Sequence, residues 1–264
     1  MKNIIVLLLL LITGYGFAQT NWVYDIKVAQ TIALQQNKLI IADFWATWCG
    51  PCKQMDKKLW NTQEMAALSN KFVFLKINID QEKALSERFD VTSIPYVVLM
   101  DASQEQIWSK RGFSNAKHYL NEFKKIPVAT QNFSKSLLPI VKKRNSSLAL
   151  FNMGLAYQET ARTLKNTNMK FAFLKVSDNY FEQIIDKSKN ENLVQKALLH
   201  RLLSKAYVGK SKKVLKKLEK LTVNEANKEL KCFVKAYCYK NQNDKEALIA
   251  IKEEINDPEF LSML

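Results

Sequence analysis

Two cysteines separated by Gly-Pro, in the order Cys49-Gly50-Pro51-Cys52, are the residues of this chain best placed to do chemistry. The apolar run Ile40-Ile41-Ala42-Asp43-Phe44-Trp45 leads into them, and a Lys-rich helical pattern through Lys53, Met55, Lys57, Lys58 and Leu59 leads away. This order predicts a buried strand that delivers a dithiol to the first turn of a helix. Unpaired backbone N–H groups and the positive end of the helix dipole favour thiolate over thiol there. The chemistry is disulfide exchange. Cys49 is the expected attacking nucleophile, and Cys52, one turn in and less exposed, resolves the mixed disulfide. Pro51 suits the first helical turn, where its missing N–H costs no hydrogen bond. Asp43 lies on the strand under the site, where desolvation raises a carboxyl pKa and suits it to take the proton of Cys52. Its alternative is a strand-end carboxylate that merely meets solvent. A metal site would use the same cysteines but needs two further ligands. His118 and His200 are the only histidines and neither has a ligand-like spacing, so neither a metal nor a cofactor is expected.

The segment Asp43-Phe44-Trp45-Ala46-Thr47-Trp48-Cys49-Gly50-Pro51-Cys52-Lys53 resembles the active-site segment of the thioredoxin family. A second stretch, Thr92-Ser93-Ile94-Pro95-Tyr96 followed by Val97-Val98-Leu99-Met100, resembles the family's cis-proline loop, which faces the dithiol in that fold. The resemblance implies that Lys76 is the lysine near the buried acid. It also implies that Pro95, when cis, opens the backbone of Ile94 to an extended substrate segment by strand addition. Trp48, Gly50, Pro51, Ile94 and Gly112 form the expected substrate-binding set, Trp48 covering the site and Gly112 letting a loop approach closely. The Gly-Pro pair and Ile94 before Pro95 resemble reducing thioredoxins, so reduction of protein disulfides is the leading expectation, with oxidase or isomerase action as the alternative. One position departs from the cytosolic pattern. Five residues after the second cysteine, where those proteins carry a helix-kinking proline, stands Lys57, and the helix is expected to run to about Trp60.

The elements that must position these residues follow from periodicity. A helix through Ile26, Ala29, Ile32 and Leu34 ends at Asn37-Lys38 and opens the strand Leu39–Phe44. A short helix capped at Asn61 or Thr62, a second parallel strand at 72–80, a helix at 81–89, a hairpin of 97–100 with 106–109 and a closing helix at 114–125 complete the first part. The order is that of the α/β thioredoxin fold, a central mixed sheet flanked by helices, with an added N-terminal helix. It is expected over residues 19–127. A short polar linker at 127–132 precedes an all-α helical-hairpin domain at 128–264, with helices at 134–143, 147–165, 169–186, 192–207, 212–221, 224–239 and 244–255. Ala-Tyr recurs at 156–157, 206–207 and 236–237, and Leu150, Met153, Gly154 and Tyr157 resemble the first helix of a tetratricopeptide repeat, though the spacing is irregular.

The whole chain sets the context. Its 264 residues, 47% of them apolar, can build a sizeable core, and four cysteines are too few for a disulfide-stapled scaffold. Lys2, the apolar run Ile4–Ile12 and the small residues around Ala18 read as a cleavable export signal over residues 1–18. That run is shorter than the ~20 apolar residues of a membrane span. A soluble periplasmic or otherwise exported protein is therefore expected, working in an oxidising compartment where a reducing dithiol needs an outside electron donor, here a membrane electron-transfer protein. The net charge of +15 is concentrated in the second half, where 25 Lys/Arg stand against 14 Asp/Glu in residues 128–264. Lys210–Lys220 carries six lysines interleaved with Val214, Leu215, Leu218 and Leu221. This stretch reads as a solvated helix face in preference to a patch for anionic lipid or acidic protein. Expected partners are disulfide-containing proteins, with no nucleic acid. A reading from another class makes the chain an adaptor whose helical half binds a partner. Cys232 and Cys238, six apart on one helix, cannot bridge and are expected as small buried side chains.

Overall fold

The computed structural model describes residues 20–126, 131–142, 144, 146–165 and 167–264. The expected export signal at 1–18 lies outside the described residues, as does 127–130 of the expected linker. Strands β1 (Trp22–Val23), β2 (Leu39–Trp45), β3 (Phe72–Asn78), β4 (Tyr96–Met100) and β5 (Gln106–Arg111) form one sheet in the order β1-β3-β2-β4-β5. The pairs β1–β3 and β3–β2 are parallel, while β2–β4 and β4–β5 are antiparallel. The mixed sheet is the one expected. Strand β2 is bonded on both sides and buried on both faces, so its sequence is apolar without alternation except at Asp43. Strand β1 was not foreseen, because two residues carry no periodicity. Pairing with the edge of β3 is what makes them a strand.

Helix α1 (Ile26–Gln36) starts where Asp25 accepts from the backbone N–H groups of Lys27 and Val28, at 2.7 and 3.0 Å. It ends at Asn37, which adopts φ 52°, a conformation asparagine tolerates at a helix C-terminus. Helix α2 (Gly50–Met55) begins at the dithiol and does continue to Trp60, but residues 56–60 widen into a π-helical turn instead of regular α-helix. Helices α3 (Gln63–Ala66), α4 (Lys83–Arg88) and α5 (Ala116–Lys125) complete this half.

The rest of the described chain is helical: α6 (Gln131–Val141), α7 (Ser147–Thr163), α8 (Thr167–Lys187), α9 (Glu191–Tyr207), α10 (Ser211–Lys220), α11 (Lys228–Gln242), α12 (Lys245–Lys252) and α13 (Pro258–Met263). Helix α6 begins inside the stretch expected as linker. The single helix expected at 224–239 is a 3₁₀ turn at Glu225–Asn227 followed by α11. Helix α13 was missed, although Asp257 caps it and Pro258 starts it. Gly154 explains how α7 approaches α8: a Cβ there would meet the Phe181 ring at 2.6 Å. In α10, Val214 and Leu218 are buried while the lysines face outward. Cys238 is buried as expected, but Cys232 is only half-buried and its Sγ donates to Glu254 Oε2 at 3.4 Å. Burial and that carboxylate push its thiol up to about 11.

The two halves share one apolar core, which runs from Phe123 and Ile126 into Phe133, Leu137, Met153 and Tyr157. Asp101, in the β4–β5 turn, is fully buried at the seam. Its Oδ1 accepts from Ser103 N, Ser103 Oγ and Glu105 N at 2.7, 2.7 and 3.0 Å. Its Oδ2 accepts from the hydroxyl of Tyr157 on α7 at 2.7 Å. Ser134 N also donates to Asn37 Oδ1 across the seam at 3.0 Å. Removing one partner of a buried hydrogen bond leaves the other desolvated and unpaired. Tyr157→Phe is therefore expected to lower unfolding stability by ~1–3 kcal/mol, read as an earlier urea midpoint at neutral pH.

Candidate functional site

Cys49 and Cys52 are joined as a disulfide, with Cα atoms 5.3 Å apart. Cys49 is the N-cap of α2, and its Sγ accepts from the backbone N–H of Cys52 at 3.1 Å. The sulfur thus lies where helix N–H groups converge, the arrangement that stabilises a thiolate once the bond opens. The expectation that Cys52 is the less exposed of the two is not resolved by burial, since both are nearly inaccessible at 3% and 2%. Position on the helix, and not exposure, distinguishes them. Gly50 and Pro51 are exposed beside the pair, and Ile79, Ile94 and Trp45 pack against it.

The Ile94–Pro95 bond is cis. Pro95 is buried and Ile94 half-buried, while Thr92 and Ser93 before them are exposed. Gly112 is held next to this loop: its N–H donates to Pro95 O at 2.8 Å, and its carbonyl accepts from the Tyr119 hydroxyl at 2.6 Å. The reason for a glycine differs from the one expected. A Cβ at Gly112 would meet nothing within 4 Å, so close approach does not require it; φ of +76° does. Trp48 lies directly before the dithiol in the chain. It is 65% exposed and is steadied by its indole N–H, which donates to Asp80 Oδ2 at 3.0 Å.

Asp43 is 2% exposed on β2, directly across the parallel pair from Lys76 on β3. The alternative of a solvent-facing carboxylate is thereby excluded. Its Oδ1 is buried without a hydrogen-bond partner, and its Oδ2 lies 3.7 Å from Lys76 Nζ. The ammonium itself is hydrogen-bonded to Asp56 on the π-helical turn and sits over the rings of Trp22 and Trp45, 4.9 and 5.1 Å from their centroids. Burial pushes the Asp43 carboxyl up to about 7, with Lys76 opposing and Asp56 adding to the shift. A carboxyl near neutrality can both accept and return a proton.

The fold therefore gathers Cys49, Cys52, Ile94 and Pro95 at one place, with Asp43 and Lys76 paired beneath the sheet surface and Gly112 bracing the proline loop. Asp56, Asp80 and Tyr119 belong to the same surroundings and were not foreseen. A signal for Asp56 existed, since it lies four residues after Cys52 on one helical face. Asp80 had none, because its partner Trp48 is 32 residues away. His118 is exposed on α5, and His200 is half-buried against Phe151 and Phe181. Among the described residues no group of three or more His, Cys, Asp or Glu side chains could hold a metal ion.

Comparison with known proteins gives the following likenesses. The family model described as Thioredoxin matches residues 21–125. Thioredoxin-1 of Drosophila melanogaster is 42% identical over 69 residues, which cover 26% of this chain and 63% of that protein. Thioredoxin of Echinococcus granulosus is 37% identical over 67 residues, covering 25% of this chain and 60% of that protein. The chain thus spans less than two thirds of the length of these relatives. Among solved structures, the germline-specific thioredoxin Deadhead of Drosophila melanogaster is 34% identical, covering 37% of this chain and 89% of that one, with a TM-score of 0.33.

The buried carboxyl makes stability depend on pH with a definite sign. Between the ordinary value of 3.8 and about 7 the folded chain keeps a proton at Asp43 that the unfolded chain has released, so stability falls as pH rises through that window. Asp43→Asn removes this loss. The variant should match the wild type near pH 4 and exceed it by up to ~4 kcal/mol at pH 8, measured as urea midpoints across the range.

Proposed function

We propose that the chain, whose residues 21–125 match the family model described as Thioredoxin, is an exported thiol–disulfide oxidoreductase that reduces disulfides in protein substrates. The observation that carries the proposal is the Cys49–Cys52 disulfide at the start of α2, beside the Pro95 loop. In the reduced state, the Cys49 thiolate attacks a substrate disulfide. A bond forms from Cys49 to one substrate sulfur, and the other leaves as a thiolate. Cys52 then loses its proton to the ionised Asp43 and attacks Cys49 Sγ. The Cys49–Cys52 bond forms, the mixed disulfide breaks, and the second substrate sulfur leaves with its electron pair. Two electrons have passed to the substrate. The Ile94 backbone and the exposed Trp48, Gly50 and Pro51 are the surface an extended substrate segment would meet. Restoring the dithiol needs an outside donor, which for an exported chain is a membrane electron-transfer protein.

The Gly-Pro spacer supports the reducing direction, and the reduction potential decides it. A value near ~−270 mV is the expected one, whereas one near ~−120 mV would make the protein an oxidant. The activity test is insulin reduction with dithiothreitol as donor. The wild-type chain should accelerate precipitation, Cys49→Ser should fall to the uncatalysed rate, and Cys52→Ser should accumulate a mixed disulfide that survives gel filtration. Wild-type turnover no faster than that of Cys49→Ser would refute the proposal.

A further inference from the structure

Beneath the dithiol one lysine meets two carboxyl groups, one buried and one partly exposed. Lys76 Nζ stands between two carboxylates: it is hydrogen-bonded to Asp56, while Asp43 Oδ2 lies beyond hydrogen-bond reach at 3.7 Å. The two acids are not equivalent. Asp43 is 2% exposed and keeps one oxygen without a partner, whereas Asp56 is 29% exposed and can share its charge with water. Asp56 is brought to Lys76 by the turn in which it sits. Its backbone N–H donates to Cys52 O, one helical turn back, and from this residue the helix widens into the π-turn of 56–60. The rings of Trp22 and Trp45 hold the ammonium from other sides.

Resting on the dithiol reading above, the geometry points to Asp56 as a positioning residue that draws Lys76 off Asp43, so that the buried carboxyl satisfies itself with a proton exchangeable with Cys52 and not with a permanent ion pair. An Asp43 fully paired with Lys76 would stay ionised and hold no proton to return. The titratable groups acting on Asp43 from the surrounding elements are Lys76 of β3, Asp56 of the π-turn and Tyr119 of α5, whose hydroxyl is pushed up by burial and by Asp43 itself. The neighbour on β4 is apolar Val97. The remaining participant is Cys52, at the start of the helix that carries Asp56.

The test reads Asp43 directly, by carboxyl ¹³C NMR titration of the full oxidised chain, so it needs no protein substrate. Asp56→Asn should move the Asp43 inflection down by at least one pH unit, about tenfold in the proton equilibrium, and Asp56→Glu should restore it. A second cycle separates the role of Lys76 from simple charge repulsion. In a Lys76→Met background, Asp56→Asn should shift the inflection by less than half as much, because there is no ammonium left to release. An unchanged or raised inflection in Asp56→Asn, or an equal shift in both backgrounds, would overturn the proposal. Failure of insulin reduction with the expected titration intact would count only against the proposed activity.

Discussion

Strand β2 has a hydrogen-bonded neighbour on each side and a packed layer on each face, and it leaves the sheet straight into the dithiol. Leu39 to Phe44 are all at most 2% exposed. An apolar strand gains from such a place, but Asp43 does not: a carboxylate there gives up its hydration and must find either a cation or a proton. The remainder of the site answers this one constraint. Lys76 comes from the next strand, Trp22 and Trp45 shield its ammonium, and Asp56 comes from the helix that begins at the cysteines. Desolvation outweighs the attraction of Lys76, which leaves a carboxyl poised near neutrality. Chemistry at the surface and electrostatics below it are thus linked through a single central strand.

The helical half bears on this arrangement through the far end of the same sheet. Asp101 follows the end of strand β4, the antiparallel neighbour of β2, and accepts a hydrogen bond from Tyr157 of α7. Burial pushes its carboxyl up, but unlike Asp43 it receives four hydrogen bonds, so its place is structural. Tyr157 packs edge-on against Phe133 and near-parallel to Tyr180, joining α6, α7 and α8 at the seam. With the core continuous from α5 into α7, this seam is a packed interior, not a pair of surfaces free to slide. The positive charge lies outside it, on helices such as α10 whose apolar stripe is already used in packing.

Much of this was legible in the residues alone. The dithiol, the central strand before it and the helical second half rest on strong local signals, namely a four-residue motif, an apolar run and sustained helical periodicity, whereas the proline loop was legible only through its resemblance to a known family. Short or tertiary features were not legible. Strand β1 exists only because β3 offers an edge, and the π-turn at 56–60 cannot be told from α-helix by pattern. Cys232 looked like a core residue by type, yet it is only half-buried and bonds to Glu254, in the turn after α12. Gly112 was assigned to the right place for the wrong reason, because φ is a property of the folded backbone.

By itself, then, the order of amino acids determined which atoms could exchange disulfides and that a carboxyl would lie on the strand below them. Local spacing is enough for both, since cysteines three apart at a helix start and an acid in an apolar run need no distant partner to be recognised. Tertiary structure alone decided the proton affinity of that acid and the company it keeps. Those depend on distances between β2, β3 and the π-turn, residues as far apart as Asp43 and Lys76, and on how completely water is excluded from between them. Electrostatics is set by separation in space and by burial, and neither is written along the chain.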